Sequence, residues 1–222
     1  MKKPTLSVML AALATSAILA APAAYSDDDG MRHYAITITN LTRGQIFAPP
    51  AVIAHNGDYK LFKLGSPSSP ELATLAEEGD PSPLLGLAAS IPSVYRTARG
   101  TGGIMPGASM TIEIETTNKF SDISVASMLV STNDGFMAVR GIQAPRRGTV
   151  TIEADAYDAG SEANSEICAF IPGPPCGSHV HDPAPAEGYV YVHSGVHGGG
   201  GLTPALHDWR NPVAEIEIKR IN

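Results

Sequence analysis

The sequence predicts an all-β protein, an antiparallel β-sandwich with one or two short inserted helices. The first observation is that the 222 residues include 22 glycines and 18 prolines, which interrupt the chain too often for a helical bundle. The second is that several short segments alternate apolar and polar residues, as strands with one buried face do. Many such strands separated by turns are typical of a sandwich.

Alternation of apolar and polar residues marks the half-buried strands, which are predicted at residues 33–40, 110–117, 149–156 and 213–221. Residues 123–130, ISVASMLV, are nearly all apolar or small, as a central strand of a sandwich would be. Residues 188–193, GYVYVH, form a further short strand. These strands are spread over most of the chain, as a single sandwich domain requires.

Helix is predicted at only two places. Residues 69–80 have Ser69 as the N-cap and Pro70 in the first turn, and Gly79 ends the helix. Residues 83–90, PLLGLAAS, form a second short helix, although the glycine within it is unfavourable. Both fit as insertions between strands.

Residues 1–23 are predicted to be a secretory signal peptide, with two lysines near the start, an apolar run, and small residues that allow cleavage after Ala23 or Ser26. Residues 24–32 would then be a short linker and residues 33–222 the sandwich domain, which is long enough for one substantial core. We therefore expect a secreted or periplasmic protein that has no transmembrane segment once the signal is removed.

The two cysteines, Cys168 and Cys176, bracket a loop rich in proline and glycine. Their spacing is too wide for a redox Cys-x-x-Cys motif, and zinc would need two further ligands nearby. In an exported protein such a pair is predicted to form a disulfide.

The sequence disfavours two classes of function. The formal net charge is −7 and the basic residues are scattered, so there is no basic patch for nucleic acid. No Gly-x-Ser-x-Gly elbow is present, and His207 and Asp208 are adjacent in sequence, which is not the geometry of a catalytic triad. We expect a binding protein with no catalytic residues rather than an enzyme.

Two loops carry acidic residues directly after predicted strands. STNDGFMAV (131–139) follows strand 123–130, and YDAGSEANSE (157–166) follows strand 149–156. If the two strands run in the same direction, both loops lie at one end of the sandwich, and Asp134, Asp158 and Glu162 come together. Clustered carboxylates repel one another unless a cation neutralises them, and Ca²⁺ takes six to eight oxygen ligands. The alternative is a solvated acidic loop.

The segments around these acids resemble the spondin domain, the N-terminal module of F-spondin, which also occurs alone in secreted bacterial proteins. FSDISVASMLVSTNDGFMAV (120–139) is similar to the family's Ser-x-Ala-Ser-Met stretch and its aspartate turn before an aromatic residue. YDAGSEANS (157–165) is similar to its Asp-Ala-Gly-x-acid loop. With the opening YAITITNLTRGQIFAPPAV and the closing NPVAEIEIKRI, the resemblance covers residues 33–222.

The resemblance implies a β-sandwich related to calcium- and lipid-binding modules, with one calcium ion held by the acids of the two loops. The aspartate turn falls on Asp134, the Asp-Ala-Gly loop on Asp158, and the last acid on Glu162, where the animal proteins have aspartate. We therefore expect an extracellular or envelope interaction or adhesion domain whose end loops are ordered by calcium. Its expected partner is an extracellular protein, a glycan or a lipid head group.

The histidines offer an alternative, which is a periplasmic transition-metal-binding protein or metal-dependent enzyme. In GSHVHD two histidines are separated by one residue, so that an extended chain points both rings to one side, and VHSGVHGGGGL carries two more. The residues of this alternative site are His179, His181, His193 and His197. They lie in predicted loops, where histidines that pack or cap turns are the simpler interpretation.

Overall fold

The computed structural model describes residues 30–222, so the predicted signal peptide and most of the linker lie outside the described residues. Within residues 30–222 the strands are β1 (Arg32–Asn40), β2 (Ala51–His55), β3 (Val94–Arg99), β4 (Ser109–Thr116), β5 (Asp122–Met128), β6 (Gly135–Gln143), β7 (Thr149–Asp158), β8 (Tyr191–Val192) and β9 (Ala214–Arg220). The helices there are α1 (Pro70–Glu78), α2 (Ser82–Ala89) and α3 (Pro204–His207), with one 3-10 turn at Cys168–Phe170. The predicted all-β class with few helical inserts is confirmed.

All strand pairs are antiparallel, and β7 belongs to two layers. Its first part, Thr149–Ala154, pairs with β9, and its last part, Asp155–Asp158, pairs with β6. One layer therefore has the order β4-β1-β9-β7 and the other the order β7-β6-β5-β2-β3, while β8 pairs with the end of β7. The two layers form the predicted sandwich.

The main core lies between the two layers. Alternate residues of the half-buried strands face inward, which explains the period of two in their sequences. This cluster includes Tyr34, Ile36 and Ile38 of β1, Ile216 and Ile218 of β9, Val52 of β2, Ile123 and Val125 of β5, and Met137 and Val139 of β6. The layer β6-β5-β2 is thus covered on its inner face by β1 and β9.

A second core covers the outer face of the layer β6-β5-β2. Helices α1 and α2 pack there, and the cluster includes Leu72, Leu75, Leu84 and Leu85 of the helices with Ile53, Ala126, Phe136 and Ala138 of the strands. Because both faces are buried, β5 reads as a nearly continuous apolar run instead of alternating. Helix α1 begins and ends as predicted, since the Ser69 hydroxyl accepts from Leu72 N at 3.2 Å and Gly79 has φ 68°.

The register places the beginning of β1, the end of β9 and the beginning of β7 at one end of the sandwich. Tyr34 lies opposite Arg220, and Thr149 lies opposite Lys219. Asp158, the last residue of β7, therefore lies at the other end.

Four strands differ from the sequence expectation. Residues 131–139 are predicted as a loop, but β6 begins inside this segment at Gly135. The predicted strand 188–193 is reduced to Tyr191–Val192, and β2 and β3 are not predicted. No helix within residues 30–222 has the length and apolar character needed to cross a membrane.

The disulfide predicted between Cys168 and Cys176 is confirmed. It closes the loop that follows the 3-10 turn Cys168–Phe170. Gly201 lies directly against it, because a Cβ added there would be 2.5 Å from Cys168 Sγ. The disulfide loop (168–176) and the glycine-rich loop (197–201) are therefore packed together.

Candidate metal centre

The two acidic loops meet because of the strand order. Strands β5 and β7 are both antiparallel to β6, so they run in the same direction and their loops leave the same end of the layer. Gly135 lies directly opposite Asp158 in the register, and Ala159 N donates to Asp134 O at 3.2 Å. The structure thus brings Asp134 and Asp158 side by side.

The Asp134 carboxylate is fully buried and is held by the second loop through one oxygen only. Its Oδ2 accepts from Ser161 N at 2.8 Å, from Ser161 Oγ at 3.2 Å and from Glu162 N at 3.1 Å. Its Oδ1 is buried and has no hydrogen-bond partner among the described residues 30–222. One carboxylate oxygen is therefore available to a ligand.

The Asp158 carboxylate is also fully buried. Its Oδ1 accepts from Gly160 N at 2.7 Å, and its Oδ2 accepts from Asn164 Nδ2 and lies 3.8 Å from His193 Nε2. Gly160 has φ 64°, and a Cβ there would lie 2.2 Å from Tyr189 O. The tight turn after Asp158 therefore requires glycine.

Both aspartates are held in an unfavourable electrostatic environment. Burial, followed by the negative charge of Asp158, raises the pKa of Asp134 to about 8. Burial also raises the pKa of Asp158 to about 6, with a further contribution from Glu187. Burial lowers the pKa of His193 to about 4, so this imidazole is neutral near pH 7 and does not compensate the charge. Within residues 30–222, neither aspartate forms an ion pair with lysine or arginine.

Glu162 lies in the same loop, but its carboxylate is directed to a different group. Its Oε1 accepts from Asp182 N at 2.7 Å and from Asn133 Nδ2 at 3.2 Å. Its Oε2 lies 3.5 Å from His181 Nδ1. In the structure the backbone N–H of Glu162 donates to Asp134, while the Glu162 side chain belongs to a second cluster.

The second cluster is formed by Glu77, Glu162 and His181, which could hold a metal ion. Each offers one ligand atom, and these atoms all lie within 4.8 Å of one another. Among the described residues 30–222, this is the group of three histidine, cysteine or acidic ligands found at such distances. Burial alone would lower the pKa of His181, but the hydrogen bond to Glu78 and the charges of Glu77 and Glu162 raise it.

The structure does not bring the four histidines of the alternative site together. His181 contacts acids, and the exposed His179 lines the same small cleft of about 10 Å³. His193 is buried against Trp209, with ring centroids 4.9 Å apart. His197 is exposed beside Glu166. A single site built from all four rings is not present in this arrangement.

Sequence reasoning missed Glu77 and Glu166. Glu166 is buried, and its carboxylate accepts from His197 N at 2.5 Å, from Gly198 N at 2.6 Å and from Gly199 N at 3.1 Å. The Glu166 carboxylate therefore holds the glycine-rich loop in place through these three hydrogen bonds. The signal for Glu77 was its place beside Glu78 in the last turn of a helix without a basic residue, where the helix dipole disfavours negative charge.

The chain matches no protein-family model and no curated protein. The resemblance to the spondin domain therefore rests on the residues quoted above and stays a hypothesis.

Proposed function

We propose that this protein is an exported β-sandwich module that binds one calcium ion at Asp134 and Asp158 and uses it to order the loops at that end of the sandwich. The observation that carries this proposal is the Asp134 carboxylate, whose Oδ1 is buried without a hydrogen-bond partner among the described residues and lies beside a second buried carboxylate. The disulfide is compatible with export.

A calcium ion would remove two costs at once. An unsatisfied buried acceptor costs about 1–3 kcal/mol, and two neighbouring buried carboxylates resist being charged together. A divalent cation supplies both the missing partner and the missing charge. Carboxylate oxygens are ligands that calcium prefers, and backbone carbonyls and water complete its shell.

The third acid of the expected site, Glu162, remains a prediction. Its carboxylate faces His181 in the structure, so the proposal depends on the two aspartates. Calcium at these positions would link the loop after β5 to the loop after β7. The backbone of Tyr189 lies against the turn at Gly160, so the exposed side chain of Tyr189 would become part of the ordered surface. The partner class that we propose for this surface is an extracellular protein, a glycan or a lipid head group.

Isothermal titration of the chelator-treated protein with calcium chloride tests the proposal. We expect one site with a dissociation constant on the order of 0.1–1 mM, as in extracellular calcium modules. Asp158→Asn should abolish the binding heat. Asp155→Asn, which changes an exposed carboxylate three positions earlier on β7, should leave it unchanged. The proposal is refuted if the unmodified protein does not bind calcium, or if Asp158→Asn binds calcium as tightly as the unmodified protein.

A further inference from the structure

The side chains of Glu77, Glu162 and His181 are arranged like the ligands of a small transition-metal ion. His181 Nδ1 lies 3.0 Å from Glu77 Oε2 and 3.5 Å from Glu162 Oε2. Ligand atoms about 2.1 Å from a tetrahedral zinc ion lie about 3.4 Å from one another. The observed separations fit such an ion between the three side chains.

The other ring nitrogen of His181 has the partner that metal-binding histidines usually have. Its Nε2 lies 3.2 Å from Glu78 Oε1, within hydrogen-bond distance. A carboxylate that accepts from the second nitrogen fixes the ring orientation and the tautomer and makes the first nitrogen a better ligand. Because Glu78 takes Nε2, the Nδ1 atom faces Glu77 and Glu162.

Glu162 is positioned independently of any ion. Its side chain is only 4% exposed, and two donors, Asp182 N and Asn133 Nδ2, hold its Oε1. This leaves Oε2 directed to His181. A buried carboxylate with one oxygen fixed and the other facing a histidine is a preorganised ligand, which distinguishes this group from an exposed acidic patch.

The position of Glu77 in α1 points to a cation as well. Glu77 and Glu78 are both in the last turn of the helix, which contains no basic residue. Negative charge at a helix C-terminus is unfavourable by about 0.3–1 kcal/mol per residue. A bound divalent cation would offset this term for both residues.

From these observations we infer a second metal site, in which Glu77, Glu162 and His181 bind a zinc-class transition-metal ion with Glu78 as the partner of the histidine. One imidazole with two carboxylates suits zinc better than calcium, which takes oxygen ligands only. Three protein ligands leave the fourth position to water from the adjoining cleft, which His179 also lines. The ion would fasten the end of α1 to the segment that follows the disulfide loop.

Competition between the protein and a chromophoric zinc chelator tests this inference. We expect one zinc ion per chain with a micromolar or tighter dissociation constant. His181→Ala and Glu77→Gln should each weaken binding more than tenfold, and Glu78→Gln about tenfold, as loss of a histidine's outer partner does. Glu71→Gln, on the same helix, and His197→Ala, in the glycine-rich loop, are the matched controls and should bind as the unmodified protein does.

Two outcomes would overturn the inference. One is that the unmodified protein does not bind zinc at micromolar concentration. The other is that His181→Ala binds zinc as tightly as the unmodified protein. His181 is half exposed and Glu77→Gln keeps the side-chain shape, so both variants should fold, and far-ultraviolet circular dichroism checks this.

The zinc site and the calcium site can fail separately. Asp158→Asn should lose calcium and keep zinc, whereas His181→Ala should lose zinc and keep calcium. Loss of both metals in either variant would show that the two clusters act as one site and would refute the assignment of separate calcium and zinc sites.

Discussion

Asp134→Asn provides the sharpest test of the buried aspartate pair, because it should stabilise the protein without calcium and remove its response to calcium. The amide oxygen can still accept from Ser161 N and Glu162 N. The amide nitrogen takes the place of Oδ1, which has no partner among the described residues, and its partial positive charge is favourable near the negative charge of Asp158. The variant therefore loses a buried charge and an unsatisfied acceptor in one change.

The magnitude follows from the unsatisfied oxygen. Removing a penalty of about 2 kcal/mol should raise the thermal midpoint by about 4–8 °C in a domain of this size. The assay is a thermal melt in EDTA at pH 8. Calcium at a hundredfold excess over its dissociation constant should raise the free energy of unfolding of the unmodified protein alone by about 2.7 kcal/mol. The variant is then no longer the more stable of the two proteins.

The stabilisation should also depend on pH with a definite sign. The pKa of Asp134 is raised from 3.8 to about 8 by burial and by Asp158, so the folded protein keeps a proton that the unfolded chain has already released. The loss of stability that the charged Asp134 causes in the unmodified protein is therefore absent below about pH 4 and grows up to about pH 8. Glu187, Tyr191 and His193 surround the pair and are present in both proteins, so they act on both melts alike.

The advantage of Asp134→Asn in EDTA should accordingly vanish as the pH is lowered to 4. A variant that melts below the unmodified protein in EDTA at pH 8 would refute the reasoning, since the charge would then be stabilising. Asp155→Asn, on the exposed face of β7, is the control and should change neither the midpoint nor its calcium response.

Three further substitutions test other parts of the structure. Gly160→Ala should lower the free energy of unfolding in urea by more than about 2 kcal/mol and weaken calcium binding, because the added Cβ would lie 2.2 Å from Tyr189 O. Gly148→Ala is the control, since φ is also positive there but nothing lies within 4 Å, and it should cost only about 1–2 kcal/mol. Glu166→Gln should lower the free energy of unfolding by about 2 kcal/mol and speed amide hydrogen exchange at residues 197–199. The reason is that a glutamine side chain cannot accept hydrogen bonds from all three backbone N–H groups. Unchanged exchange would show that the loop is held by other contacts. Gly86→Ala, at an exposed and open position inside α2, should raise stability by about 0.5–1 kcal/mol, and a loss measured by the same unfolding assay would contradict the helix assignment.

The parts of the fold that sequence predicted are those with a local physical signature. The half-buried strands show a period of two because one face meets the core, and α1 shows its cap at Ser69 and its end at Gly79. The meeting of the two acidic loops also followed from the sequence once β5 and β7 were taken to run in the same direction.

The parts that sequence did not predict depend on distant contacts. Strand β2 is buried on both faces, so it lacks alternation, and the Asp134-Gly135 pair reads as a turn although β6 begins at that glycine. The contact between Glu77 and His181 joins a helix to a loop about a hundred residues later in the chain. Nothing near either residue in sequence indicates the other, and the orientation of the Glu162 side chain depends on the same contact.

The register of β1, β9 and β7 has a consequence for how the domain presents itself. The segment that enters β1 and the segment that leaves β9 lie together, at the end of the sandwich opposite Asp158. Whatever is attached to the chain on either side of the domain is therefore held away from the acidic loops. A tether to a surface through either segment would point these loops outward, where they are accessible to ions and to other molecules.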